Sequence, residues 1–364
     1  MVKPWKCALA ALSAVSIGFA GAAAPEPQVN EKISVYVTPQ EHEAGHYPVS
    51  YAEALRSLKG SARTVWVLES WRNVEIADGK YDWSSLDERI HAAVKSGFDV
   101  GIRMQVVLCG NNAKKEFVAV SRVPKFVDQD MSSADFRQKA ERFYAALAAR
   151  YKAEARYIAV GNSVNKYFER NPKQWQGFKA AYPGIVKAIH AAAPKTLVLS
   201  DLVSGGEFWT DREKFQTYLD FFGDSPDDGF GFVFYFIAKS YYGDFANFTR
   251  ERLGEVLDDL HARTKGKKLY LIETSCFSTN PNTGQDMSAV QAKYVDMLIR
   301  TVVEKDYMLG LSWWQLYDAR DEPDVPWDIK ASFGLFDSEG KQKPAWETWK
   351  KLCTLQKAPE PEKR

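Results

Sequence analysis

The sequence predicts an α/β chain folded as a single (β/α)8 barrel. Three observations carry the prediction. Eight short apolar runs recur along the chain, amphipathic helical patterns fall between them, and no repeat or linker interrupts the alternation over roughly 330 residues. The composition is that of a soluble globular protein, with 45% hydrophobic and 26% charged residues among 364.

The apolar runs are Ile33–Val37, Thr64–Leu68, Val100–Val106, Tyr157–Val160, Thr196–Leu199, Phe230–Phe236, Leu269–Ile272 and Leu311–Leu316. Each is continuously apolar rather than alternating, which suits strands covered on both faces. Between them, Phe136, Ala140, Phe143, Leu147 and Tyr151 recur at helical spacing behind a cap at Ser132, with Asp135 in the first turn. Trp175, Phe178, Tyr182, Ile185 and Ile189 form a second stripe, which Pro183-Gly184 should kink or split. Met287–Val303 gives a third. All three read as core-packing faces. A doubly wound open sheet would need a glycine-rich phosphate loop after an early strand. Gly229-Phe-Gly231 comes late and lacks the third glycine.

The first 24 residues read differently. Lys3 and Lys6 precede an apolar run from Cys7 to Ala20, closed by Gly21 and three alanines, the pattern of a secretory signal peptide. The expected domain therefore runs from residue 25 to 356, and residues 357–364 form a disordered tail. Export to the periplasm or outside the cell is expected, with no membrane insertion after signal removal. The formal net charge of +1 predicts no nucleic-acid or anionic-membrane partner. The remaining cysteines, Cys109, Cys276 and Cys353, allow at most one internal bridge, and a Cys109–Cys276 bridge stays open. Histidines are scattered, with no HExxH, so neither a metal nor another cofactor is expected.

In such a barrel, reactive groups stand at the C-terminal ends of strands. The polar residues there are Glu69-Ser70-Trp71, Arg103 and Gln105, Asn162-Ser163, Ser200-Asp201, Tyr235, Glu273-Thr274, and Trp313-Trp314-Gln315 with Asp318 beyond. Glu273 is the sharpest, because a carboxylate ending a buried strand can be tuned by its neighbours. Its structural alternative is a buried partner for Arg103. A carboxylate in a tryptophan-rich rim points to sugar chemistry, since aromatic faces stack on pyranose rings. Trp71, Trp313 and Trp314 are therefore candidate subsites.

Five segments resemble the glycoside hydrolases that share this barrel. Trp71-Arg-Asn-Val-Glu75 with Gly79-Lys-Tyr-Asp-Trp-Ser-Ser-Leu-Asp87 resembles their strand-two region, and Gly161-Asn-Ser-Val-Asn165 resembles their strand-four "GNE.N" motif. Leu271-Ile-Glu-Thr274 resembles the strand-seven nucleophile motif, and Ser312-Trp-Trp-Gln-Leu-Tyr-Asp318 the strand-eight tryptophan motif. Gly334-Leu-Phe-Asp337 with Gly340-Lys-Gln-Lys-Pro-Ala345 resembles their closing segment. The similarity is greatest to endo-galactanase-like and related retaining members. It implies that Glu273 is the nucleophile and that Asn162 hydrogen-bonds the sugar 2-hydroxyl; Arg103 and Tyr235, carried on their strands, are further candidate substrate-binding residues. The chain is read as an O-glycosyl hydrolase on a β-linked oligo- or polysaccharide, and a monomer is expected.

The family's general acid/base follows that asparagine as a glutamate, and here the position is Ser163. A serine hydroxyl cannot protonate a departing alkoxide efficiently, and losing this help typically costs on the order of 10²- to 10⁴-fold. Glu69, Asp201, Asp318 and Glu169 are the alternative proton donors. A rival reading is an inactive carbohydrate-binding protein, whose cleft the acidic loop Asp318–Asp328 could line. A remote one is a serine esterase using Ser163. That reading lacks the second glycine of G-x-S-x-G, and no histidine follows His261.

Overall fold

A computed structural model describes residues 28–37, 47–112, 114, 116–204, 212–235, 249–280, 283–320 and 332–357. The expected signal peptide, the tail from residue 358, Phe236 and most of the acidic loop after Arg320 lie outside the described residues.

The described elements in chain order are β1 (Ile33–Tyr36), α1 (Tyr51–Leu58), β2 (Thr64–Ser70), α2 (Trp71–Val74), β3 (Glu75–Ala77), β4 (Lys80–Tyr81), α3 (Ser84–Lys95) and β5 (Asp99–Gln105). Then come β6 (Val107–Asn111), β7 (Phe117–Ser121), α4 (Ala134–Arg150), β8 (Ala155–Val160), α5 (Val164–Arg170), α6 (Pro172–Ala192) and β9 (Leu197–Val203). The chain closes with α7 (Arg212–Asp224), β10 (Gly229–Val233), α8 (Arg250–Arg263), β11 (Lys268–Thr274), α9 (Ser288–Glu304), β12 (Met308–Trp313) and α10 (Pro344–Leu352).

Eight strands close a parallel barrel in the order β1-β12-β11-β10-β9-β8-β5-β2. The predicted fold class is the observed one. Each of the eight apolar runs coincides with one barrel strand, with shifted ends. β9 extends to Val203, so Ser200-Asp201 lies within it rather than after it, and β12 stops at Trp313. Two antiparallel hairpins, β3–β4 and β6–β7, were not predicted, and both sit beyond the C-terminal ends of barrel strands. The cap of α4 is Ser133, which accepts the Phe136 N–H at 3.0 Å, while the Ser132 hydroxyl turns to Asp130. Helix α6 is not split at Pro183. Its apolar stripe, from Phe178 to Ile189, is buried on both sides of the proline.

The barrel floor is aromatic. Strand alternation turns Tyr36, Trp66, Tyr157 and Tyr270 inward, where they form one buried cluster. Trp66 lies 5.8 Å from Tyr157 and 5.3 Å from Tyr270, ring centre to ring centre. The Trp66 indole donates to the Tyr270 hydroxyl at 3.1 Å, which Ser34 also meets at 2.7 Å. So large a plug needs small neighbours: a Cβ on Gly101 would lie 2.5 Å from the Trp66 ring. This floor separates the two ends of the barrel and leaves chemistry to the rim above it.

Gly101→Ala should therefore destabilise the protein by about 1–3 kcal/mol through overpacking, read as a lower midpoint in urea denaturation. An unchanged midpoint would show that the floor is looser than this packing implies.

Candidate active site

Arg103 stands one inward step above Gly101 on β5 and has no solvent exposure. A buried guanidinium demands acceptors for its N–H groups. Its Nε and Nη2 donate to the two oxygens of Asp201 on β9, at 2.5 and 3.0 Å. Nη2 also donates to Asn162 Oδ1 at 2.8 Å, and Nη1 donates to Glu273 Oε2 in a close contact. Burial alone would disfavour the charge, but Asp201 and Glu273 together raise the Arg103 pKa well above its usual value.

Glu273 owes its direction to an irregularity in β11. The pairing register slips between Leu271 and Thr274 against β12, and between Gly231 and Val233 against β10. Ile272 consequently enters the inner cluster while Glu273, its neighbour, also reaches Arg103. Bulges at barrel rims commonly re-aim a side chain in this way. Both carboxylate oxygens are held, Oε2 by Arg103 and Oε1 by the Tyr235 hydroxyl at 2.6 Å. The side chain keeps 14% exposure, which leaves one edge open to the rim.

The Gly161-Asn162-Ser163 turn joins β8 to α5. Gly161 has φ of 100° and its added Cβ would lie 2.3 Å from Val164, so the turn requires glycine. Ser163 is itself left-handed (φ 55°, ψ 43°) and buried. Its N–H donates to Asp201 Oδ1 at 2.9 Å, and its hydroxyl donates to Asn162 Oδ1 at 3.1 Å. With Oδ1 of Asn162 taken by Arg103 and Ser163, the asparagine presents its amide Nδ2 as the remaining donor. Asn165 pins the start of α5 to β9, donating to Val203 O at 2.9 Å and accepting from Val203 N at 2.8 Å. The sequence did not single out Asn165 for this role.

The structure brings together Arg103, Asn162, Ser163, Tyr235 and Glu273, and separates the tryptophans. Trp71 is fully buried outside the barrel, 5.1 Å from Phe143 and 6.0 Å from Phe136, with its indole donating to Glu75 at 2.6 Å. Trp313 is likewise buried, against Trp349 and Tyr294, and donates to Phe333 O at 2.9 Å. Neither is a sugar subsite. β12 ends at Trp313, and Trp313 and Trp314 face different sides. Trp314 is the inward one, half-buried and edge-on to Tyr36 at 4.9 Å. Two aromatics missed in the sequence extend its wall: Phe277 stacks on Phe333 at 4.2 Å, and Phe333 lies 5.7 Å from Tyr235. Both follow strand ends in loops, where no periodicity marks them.

The four alternative proton donors are each engaged. Glu69 faces the helices and pairs with Arg89 at 2.6 Å. Asp201 is fully buried on Arg103. Glu169, on α5, pairs with Lys166 and Lys214. Asp318 pairs with Lys343 at 2.5 Å and accepts the Gly334 N–H at 2.7 Å, closing the base of the loop between them. Among the described residues the esterase reading also finds no base. Among the described histidines, His91 lies on α3, His190 bonds Asp228, and His261 stacks on Tyr307.

Cys109, Cys276 and Cys353 are all free thiols, so the candidate Cys109–Cys276 bridge is absent. Among the described residues, no group of three or more His, Cys, Asp or Glu side chains could hold a metal ion, and no helix is long and apolar enough to cross a membrane. Two grooves of about 590 Å³ lie away from Glu273. One is at the N-terminal face beside Arg63, Phe98 and Arg156, and one runs between α6 and α7 beside Lys179 and Phe221.

No protein-family model and no curated protein matches the chain. Solved structures do. A GH5_18 variant from Streptomyces cattleya in complex with Manb1-4GlcNAc superposes with a TM-score of 0.71 at 16% identity, over 92% of this chain and 83% of that one. The likeness is one of fold. A family 39 glycoside hydrolase from Bacteroides cellulosilyticus WH2 gives 0.63 at 16% identity, over 90% and 64% of the two chains. Xylanase 10B from Thermotoga petrophila RKU-1, in complex with xylobiose, gives 0.62 at 12%, over 89% and 94%. The barrel is thus of the kind that glycoside hydrolases use.

Burial raises the Asp318 carboxyl from 3.8 to about 6 and lowers Lys343, so loss of water outweighs the attraction between them. Folded Asp318 holds its proton more tightly than the unfolded chain does. Its stabilising contribution is therefore full below about pH 4 and is lost as pH rises through about 6. Across that window, wild type should lose on the order of 1–3 kcal/mol more than Asp318→Asn in urea denaturation. Parallel pH profiles would refute the assignment.

Proposed function

We propose that this is an exported, monomeric carbohydrate-active protein of the retaining glycosidase type, acting on a β-linked oligo- or polysaccharide. One observation carries the reading: Glu273 is clamped by Tyr235 and Arg103 with one edge left open. Two fixed donors keep the carboxylate oriented for attack, which is the positional requirement of a covalent nucleophile. In the proposed step Glu273 bonds to the anomeric carbon and the glycosidic C–O bond breaks, with the electron pair leaving on the aglycone oxygen. In this reading the Asn162 amide, whose Oδ1 is taken by Arg103, donates to the neighbouring sugar hydroxyl oxygen, and Trp314 offers a ring face to the sugar.

Ser163 then sets the substrate range. Its hydroxyl is spent on Asn162, so the aglycone oxygen departs without a proton from this position. Good leaving groups tolerate this and natural alkoxides do not. The inward-turned serine also favours a second reading, a sugar-binding protein without turnover.

Dinitrophenyl glycosides should be cleaved, and Glu273→Ala should abolish the cleavage. Azide should accelerate wild type and yield a glycosyl azide. Ser163→Glu should raise activity on β-linked oligosaccharides by on the order of 10²- to 10⁴-fold. Sugar binding by calorimetry without turnover of any aryl glycoside would favour the binding protein.

A further inference from the structure

Asp201 has no role in the proposed step, yet it is the most thoroughly buried charged partner in the cluster. Its carboxylate accepts Nε and Nη2 of Arg103 side by side, and the same Oδ1 accepts the N–H of left-handed Ser163. Arg103 then extends Nη1 to Glu273 and Nη2 to Asn162. One guanidinium is thus shared by two carboxylates, and the one with the bidentate geometry is Asp201. Tyr36 and Tyr235 also face the pair, and Tyr144, Tyr182 and Cys109 interact with Asp201; burial holds the Tyr36, Tyr144 and Tyr182 phenols and the Cys109 thiol above their usual ranges, so none brings a compensating charge.

We propose that Asp201 is a positioning residue for Glu273: it locks the Arg103 guanidinium that orients the carboxylate, and it divides that guanidinium's charge so that Glu273 is only partly neutralised. A carboxylate left less neutralised is the more basic and the better nucleophile. The inference rests on the reading of Glu273 as the nucleophile, but its test does not need turnover.

The Glu273 carboxyl is followed by ¹³C NMR titration of glutamate-labelled protein, its signal assigned by its loss in Glu273→Gln. In Asp201→Asn the undivided Arg103 charge should lower the Glu273 midpoint by ~1 unit, whereas Asp201→Glu should stay near wild type. With a dinitrophenyl glycoside, the acid-side limb of kcat/KM should move to lower pH in Asp201→Asn, with kcat changed more than KM. An unmoved midpoint would overturn the proposal. Should Asp201→Asn fail to fold, the crystal structure of Glu273→Gln decides. Arg103 should remain bidentate on Asp201, and its departure would overturn the proposal equally. Absence of turnover in wild type sinks the nucleophile reading alone, because titration and structure still report on Asp201.

Discussion

A guanidinium sealed inside a barrel is tolerable only if its N–H groups find acceptors, and Arg103 finds them on three other strands or strand ends. Asn162 comes from the turn after β8, Asp201 from β9 and Glu273 from β11. Leaving such a group unpaired costs about 3–5 kcal/mol, a large share of a domain's net stability. The positions of the candidate nucleophile, the strand-four asparagine and Ser163 are therefore not independent. Each is fixed by the requirement that this one charge be satisfied, above a buried aromatic floor.

The same constraint explains how Ser163 sits. Its backbone N–H must meet Asp201 and Asn162 Oδ1 must meet Arg103, which turns the strand-four end inward and draws the serine hydroxyl after it. Glu69 and Asp318 are each held by a buried cation of their own, Arg89 and Lys343. The (β/α)8 barrel thus holds a clamped carboxylate, Glu273, and a buried serine hydroxyl committed to Asn162 at the same end.

The barrel was legible because its signal is local: apolar runs and helical stripes need only a few neighbours to be recognised. Glu273 was legible for the same reason, as a carboxylate ending a buried run. Trp71 and Trp313 were misplaced because residue type does not say which face a strand presents, and β2 ends one residue before Trp71, where α2 begins. The Arg103–Asp201 pair joins residues 98 positions apart. No local pattern announces such a pairing, although the possibility that Glu273 is Arg103's partner was visible. The structure shows that pairing, with the Glu273 side chain still partly exposed at the rim. Phe277 and Phe333 lie in loops and meet only through closure of the barrel end.

The account stands or falls on Glu273 acting as a covalent nucleophile. Its most direct measurement is peptide mass spectrometry after incubation with an activated 2-deoxy-2-fluoro glycoside, which slows breakdown of a glycosyl-enzyme. The account predicts a sugar adduct on Glu273 that is absent from Glu273→Gln. A sugar that binds but leaves every carboxylate unmodified, or one attached to a different residue, would contradict it.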